Sequence, residues 1–182
     1  YILVDGSENY GIRVANVFTA DPTYYRYASI DGTNQGKGGI VVQGTKNVGL
    51  SLSKQMGSNL IGNISNLNIS VNGSEGIGVL RRSDYAQTGN MVFTGTHIQT
   101  LDFGANATKS VLLRSDNGNI TLDRNITINK GLGNNVVLQA NGAGTSVINN
   151  TGRTITLDTG AKTSIGLLSS GTGTLENKGT IT

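Results

Sequence analysis

The segment Val111 to Ile128, VLLRSDNGNITLDRNITI, returns in degraded form as Gly166 to Ile181, GLLSSGTGTLENKGTI. Aligning Leu112 and Leu113 with Leu167 and Leu168 also lays Ile120 on Leu175 and Ile126 on Ile181 without a gap. A third copy starts at Val137 and Leu138 and runs through Val147 to Ile155 and Leu157. An earlier one starts at Val79 and Leu80 and continues as RRSD, set against Arg114, Ser115 and Asp116. The anchors recur roughly every 25 to 32 residues, the range of a stacked solenoid, whose repeats bury their apolar faces only against their neighbours. This alignment expects Leu80, Leu112, Val137 and Leu167 in one inward ladder, and Ile120 with Leu175 in another.

The chemistry of the repeat is that of strands. Short runs such as ITL at Ile120 to Leu122 and ITI at Ile126 to Ile128 alternate with period two, as half-buried strands do. They are separated by DNGN, ANGAG and SSGTG, residues that accept tight turns and left-handed backbone. No apolar spacing of three and four is sustained for the length of a helix. The expected fold is therefore all-β, a right-handed parallel β-helix in which equivalent side chains stack about 4.8 Å apart. Coils of this size predict roughly six to eight turns and a rod on the order of 30 to 40 Å long. Antiparallel propeller blades are longer and carry aromatic signatures that this chain lacks.

The reading divides the chain into residues 1–60, irregular coils with an insertion, and 61–182, regular coils. It begins at Tyr1 without methionine and stops at GTIT in mid-pattern, and is read as a fragment of a longer rod. With 14 basic and 11 acidic residues scattered along the chain, it lacks the clustered basic face of a nucleic-acid binder. No stretch reaches the ~20 apolar residues of a membrane span. Cysteine is absent, which removes thiolate zinc sites, thiol catalysis and disulfides from this segment.

The combination of a small-residue strand, a Gly/Asn turn and then Asn-x-Gly before Ile-Thr resembles the repeats of autotransporter (type V secretion) passenger domains, especially large surface adhesins of Gram-negative bacteria. The carrying residues are NTGRTITL at Asn150 to Leu157, NKGTIT at Asn177 to Thr182 and TSIGLLSSGTGTLE at Thr163 to Glu176. The resemblance covers about residues 60 to 182. It implies a right-handed β-helix and a place on the cell surface or outside the cell. It also implies anchorage to the bacterial outer membrane through a C-terminal barrel outside this segment. The implied role is adhesion, with a host or bacterial surface protein or glycan as partner. The secreted component of two-partner systems, the filamentous haemagglutinin type, has similar coils.

One segment breaks the repeat. Residues Thr19 to Lys37 hold the only proline, Pro22, and three of six tyrosines, Tyr24, Tyr25 and Tyr27, around Arg26. Insertions on a solenoid extrude from one face and frequently bind, and Tyr and Arg are enriched at binding hot spots. These four residues are the candidate ligand contact. The plainer reading is that the rings cover the side of a slim core.

Catalytic readings have less to stand on. β-Helix polysaccharide lyases and hydrolases, or a phage-type fibre, form the alternative class; such enzymes need paired or calcium-binding carboxylates on one outer face. Asp84 and Asp116, with Arg82 and Arg114, occupy equivalent repeat positions in the alignment, and the next coil offers Gln139 and Asn141 there. Asp before a turn commonly satisfies backbone amides, so turn capping with ion-pair relief is expected. His97, the only histidine, alternates with Ile98 and is expected to face outward. No GxSxG elbow and no calcium nonapeptide occurs. The expectation is no enzyme, no metal and no cofactor.

Overall fold

The computed structural model describes residues 2–14, 30–31, 39–53, 64–82, 90–116 and 118–182. Among the described residues the regular structure is almost entirely parallel β, with a 3-10 turn at Thr159–Ala161. The chain visits three faces in turn. On the first lie β1 (Ile2–Val4), β4 (Gly39–Val42), β7 (Leu67–Val71) and β10 (Ile98–Phe103), continued by β13 (Ile126–Ile128), β16 (Thr154–Leu157) and β19 (Thr180–Ile181). The second is one six-stranded sheet of β2 (Tyr10–Val14), β5 (Val48–Ser53), β8 (Ile77–Arg82), β11 (Val111–Ser115), β14 (Val136–Asn141) and β17 (Ile165–Ser170). The third holds β3 (Ile30–Asp31) and β6 (Ile64–Ser65), then β9 (Asn90–Thr94), β12 (Gly118–Asp123), β15 (Thr145–Asn149) and β18 (Thr174–Asn177). Each strand pairs in parallel with its counterpart one coil away, which is a β-helical solenoid. Six stacked strands span about 24 Å from first to last, shorter than the expected rod.

The core is a set of columns. Ile40, Ile69 and Leu101 stack on the first face, Leu50, Val79, Leu113 and Leu138 on the second, and Met91, Ile120 and Val147 on the third. All are buried. Burying a side chain of this size stabilises by about 1.5 to 3 kcal/mol, and each column repeats that gain at every coil. No described helix is long and apolar enough to cross a membrane, which says nothing about strands.

The expected ladders are half right. Ile120 and Leu175 do share a column through Val147, and Leu112 lies level with Val137 between the pairs Val111↔Val136 and Leu113↔Leu138. Leu167, however, pairs with Leu138, and Leu80 pairs with Arg114. The cause is turn length. Ser115 to Asn119, Ala140 to Ser146 and Ser169 to Thr174 connect equivalent places through turns of different length. A gapless alignment anchored on the second strand of each pair is therefore one residue out on the first. At Leu80 the register is set by the preceding turn, where Ser74 bridges Thr108.

Candidate functional site

The turn entering the six-stranded sheet has its own repeat: Gly-Ser-Glu-Asn at Gly6 to Asn9, Gly-Thr-Lys-Asn at Gly44 to Asn47, Gly-Ser-Glu-Gly at Gly73 to Gly76, Ala-Thr-Lys-Ser at Ala107 to Ser110, and Leu-Gly-Asn-Asn at Leu132 to Asn135. Its second residues, Ser7, Thr45, Ser74, Thr108 and Gly133, form a continuous line of parallel bridges. Its third residues, Glu8, Lys46, Glu75, Lys109 and Asn134, all have left-handed backbone, φ between 51° and 61°. That conformation is uncommon outside glycine, and here all five residues are exposed.

At the fourth position Asn47, Ser110 and Asn135 turn inward and satisfy backbone groups that the sharp corner leaves over, whereas Asn9 is exposed and Gly76 has no side chain. Asn47 is fully buried; its Nδ2 donates to the carbonyls of Gln43 at 2.6 Å and Gly6 at 3.1 Å, and its Oδ1 accepts from the Asn9 amide at 2.7 Å. Three coils on, the Asn135 Oδ1 accepts from the Ser110 amide and its Nδ2 donates to the Ala107 carbonyl, both at 3.0 Å. Ser110 Oγ accepts from Gly76 at 3.0 Å. Buried polar groups without partners cost about 1 to 3 kcal/mol each, so this ladder holds the corner in one geometry. Reading by strand anchors misses it, because the turn returns at unequal intervals: the following strands advance 38, 29, 34, 25 and 29 residues, from Tyr10 to Val48, Ile77, Val111, Val136 and Ile165.

A groove runs along the outside of this sheet, with a volume of about 400 Å³. Lys46, Glu75, Lys109 and Asn134 form one rim, Arg114, Gln139 and Leu168 the other, and Ile77, Val111 and Val136 the floor. Val111 and Val136 are recessed, 7 % and 5 % exposed, although they point away from the core side. Tyr10 and Ile165 extend the same column at its two ends and are exposed, and Arg13 stacks over the Tyr10 ring at 5.4 Å. An apolar floor between polar rims can hold a slender extended chain lying along the rod. The lining contains one carboxylate, Glu75, where acid–base cleavage of a glycan uses two.

The residues singled out from sequence fare unequally. Tyr24, Tyr25, Arg26, Tyr27 and Asp84 lie outside the described residues. Arg82 and Arg114 are not equivalent: Arg82 pairs with Ser53, and Arg114 with Leu80 and Gln139. Asp116 does act at a turn. Its Oδ1 accepts from Arg114 Nε at 2.6 Å and from Asn141 Nδ2 at 2.9 Å, and its amide donates to the Arg81 carbonyl at 2.8 Å. His97 is half-buried in the corner between β9 and β10, where its Nδ1 lies 3.1 Å from Thr94 Oγ1 and 3.3 Å from the Thr94 amide. Burial pushes its pKa down, against a hydrogen bond donated to the Val92 backbone that raises it.

Sequence reading did not single out Arg81, which is 1 % exposed and tucked under the next corner. Its Nη1 donates to the Asn119 carbonyl, and burial lowers its pKa. Gly118, with φ +74°, leaves the room: a Cβ there would stand 2.6 Å from the guanidinium carbon. Arg124 similarly donates to the carbonyls of Ile98 and Gln99 one coil earlier. These arginines cap corners. Among the described residues no three His, Cys, Asp or Glu side chains stand close enough to hold a metal ion. No protein-family model, curated protein or solved structure matches the chain.

Proposed function

We propose that this chain is a stalk segment of a secreted bacterial surface adhesin, an autotransporter-type passenger whose stiff β-helix presents binding loops to host or bacterial cells. The observation that supports it best is the unbroken second face, six parallel strands over continuous apolar columns, with buried Asn47, Ser110 and Asn135 bracing its corners. Such a rod lengthens by adding coils, and its neighbour-only contacts make each coil a spacer. The groove's single carboxylate also suits contact better than glycan cleavage, so the reading includes no catalytic step, metal or cofactor. Export and outer-membrane anchorage belong to a barrel outside this segment.

Contact is assigned to Tyr24, Tyr25, Arg26 and Tyr27, whose rings and guanidinium suit a protein pocket or the faces of sugars. Replacing Tyr24 and Tyr25 by Ser in the whole chain should leave the melting curve unchanged and weaken attachment to cells about 30-fold or more, since a buried aromatic anchor is worth about 2 kcal/mol. Unchanged attachment in an intact fold would remove the site from the tyrosine segment. Release of product from polysaccharide substrates would overturn the stalk reading in favour of a β-helix enzyme.

A further inference from the structure

Glu8, Lys46, Glu75 and Lys109 occupy the same left-handed place in four consecutive turns, are all exposed, and alternate in sign. Consecutive places are about 4.8 Å apart along the rod. None of the four has an ion-pair partner within 4.0 Å among the described residues. Read from the other end, the column is Lys109, Glu75, Lys46, Glu8, the complement of itself.

We propose that this column is a contact surface for a second copy of the chain, set antiparallel across a two-fold axis that passes between Lys46 and Glu75. The two-fold puts Glu8 opposite Lys109 and Lys46 opposite Glu75, each pair occurring twice, as an isologous interface requires. A parallel copy in register would oppose like charges, which is destabilising. Asn134 continues the column as an uncharged residue, so the overhanging end adds no repulsion. Exposed ion pairs are individually weak. The contact therefore belongs to chains held at high local density, where many weak contacts act together. This proposal rests on the column alone and does not depend on the adhesion reading.

The test uses beads coated with the whole chain at low ionic strength. Wild-type beads should clump, and clumping should fall about tenfold or more in strong salt, which screens exposed charges. Glu8→Lys/Glu75→Lys gives an all-basic column and Lys46→Glu/Lys109→Glu an all-acidic one. Beads carrying either variant alone should stay dispersed, and a mixture of the two should clump as wild type does. A variant with all four residues changed to Gln should also stay dispersed, which covers the case in which like charges on neighbouring coils lower the melting temperature. Because the chain holds no cysteine, Glu8→Cys mixed with Lys109→Cys should cross-link through a short bis-maleimide, while neither alone does. Dispersed wild-type beads, clumping of either single-sign variant or of the Gln variant, or a mixture that stays dispersed would each overturn the proposal. So would cross-linking of Glu8→Cys to Lys46→Cys in place of Lys109→Cys, the signature of a staggered parallel contact.

Discussion

At the scale of single residues, the corners depend on polar groups that face inward. Asn135 is fully buried and connects the Ser110 amide to the Ala107 carbonyl. Asn135→Ala removes both partners at once, and a loss of about 2 to 4 kcal/mol in urea unfolding is expected from two stranded backbone groups. Two carboxylates act on stability in opposite senses. Burial raises the pKa of Asp102, a hydrogen bond from Ser70 and the charge of Lys130 pull it back, and its Oδ1 is buried without a partner among the described residues. The contribution of a raised carboxyl is fully present below the unfolded pKa and is lost as pH rises through the folded pKa. Asp102→Asn should therefore gain stability at neutral pH and nothing in acid. Asp123 is the reverse case, lowered first by the hydrogen bond from Arg153 at 2.8 Å and then by that from Asn150 at 3.0 Å. Its contribution is present above the unfolded pKa and is lost as pH falls through the folded one. Asp123→Asn should cost about 0.5 kcal/mol at neutral pH, the value of a partly exposed pair, and converge with wild type in acid.

At the scale of the strand, position decides what a side chain means. Gly11, Gly49 and Gly78 hold the inward place that Leu112 and Val137 hold in later coils. A Cβ on Gly78 would come within 2.8 Å of the Leu112 carbonyl oxygen and within 3.4 Å of Val71 and Ile69. Gly78→Val is expected to lower the melting temperature and cost about 1 to 3 kcal/mol by overpacking. Leu112→Asp would put an unpaired charge at a fully buried place, and loss of the cooperative transition is expected. Period-two runs such as ITL at Ile120 and ITI at Ile126 were legible because alternation survives one face of burial. Places two coils apart were legible only where the gapless alignment holds, which is why Ile120 found Leu175 while Leu112 was set on Leu167 and not on Gly166, its counterpart two coils on. The corner motif was present in the sequence all along as DGSEN, QGTKN and NGSEG. It escaped because its intervals are unequal and its signal lies in polar residues, which sequence reading treats as turn filler.

At the scale of the molecule, parallel stacking produces both the rod and its surface features. Any residue placed once per coil becomes a line, so a left-handed turn position becomes a column of alternating charge, and an outward aliphatic place becomes the floor of a groove. The groove was not legible from composition: only the three-sided path of the chain shows that Ile77, Val111 and Val136 face outward. Paired cysteines test that stacking most directly. Asn119 and Ser146 are direct neighbours on adjacent coils, and Thr174 is the neighbour of Ser146 on the next. Adjacent places about 4.8 Å apart lie within disulfide range, and places two coils apart, about 10 Å, do not. In this cysteine-free chain, Asn119→Cys/Ser146→Cys and Ser146→Cys/Thr174→Cys should each oxidise to an intramolecular disulfide, and Asn119→Cys/Thr174→Cys should not. Cross-linking of the Asn119/Thr174 pair with none in the other two would contradict the parallel β-helix.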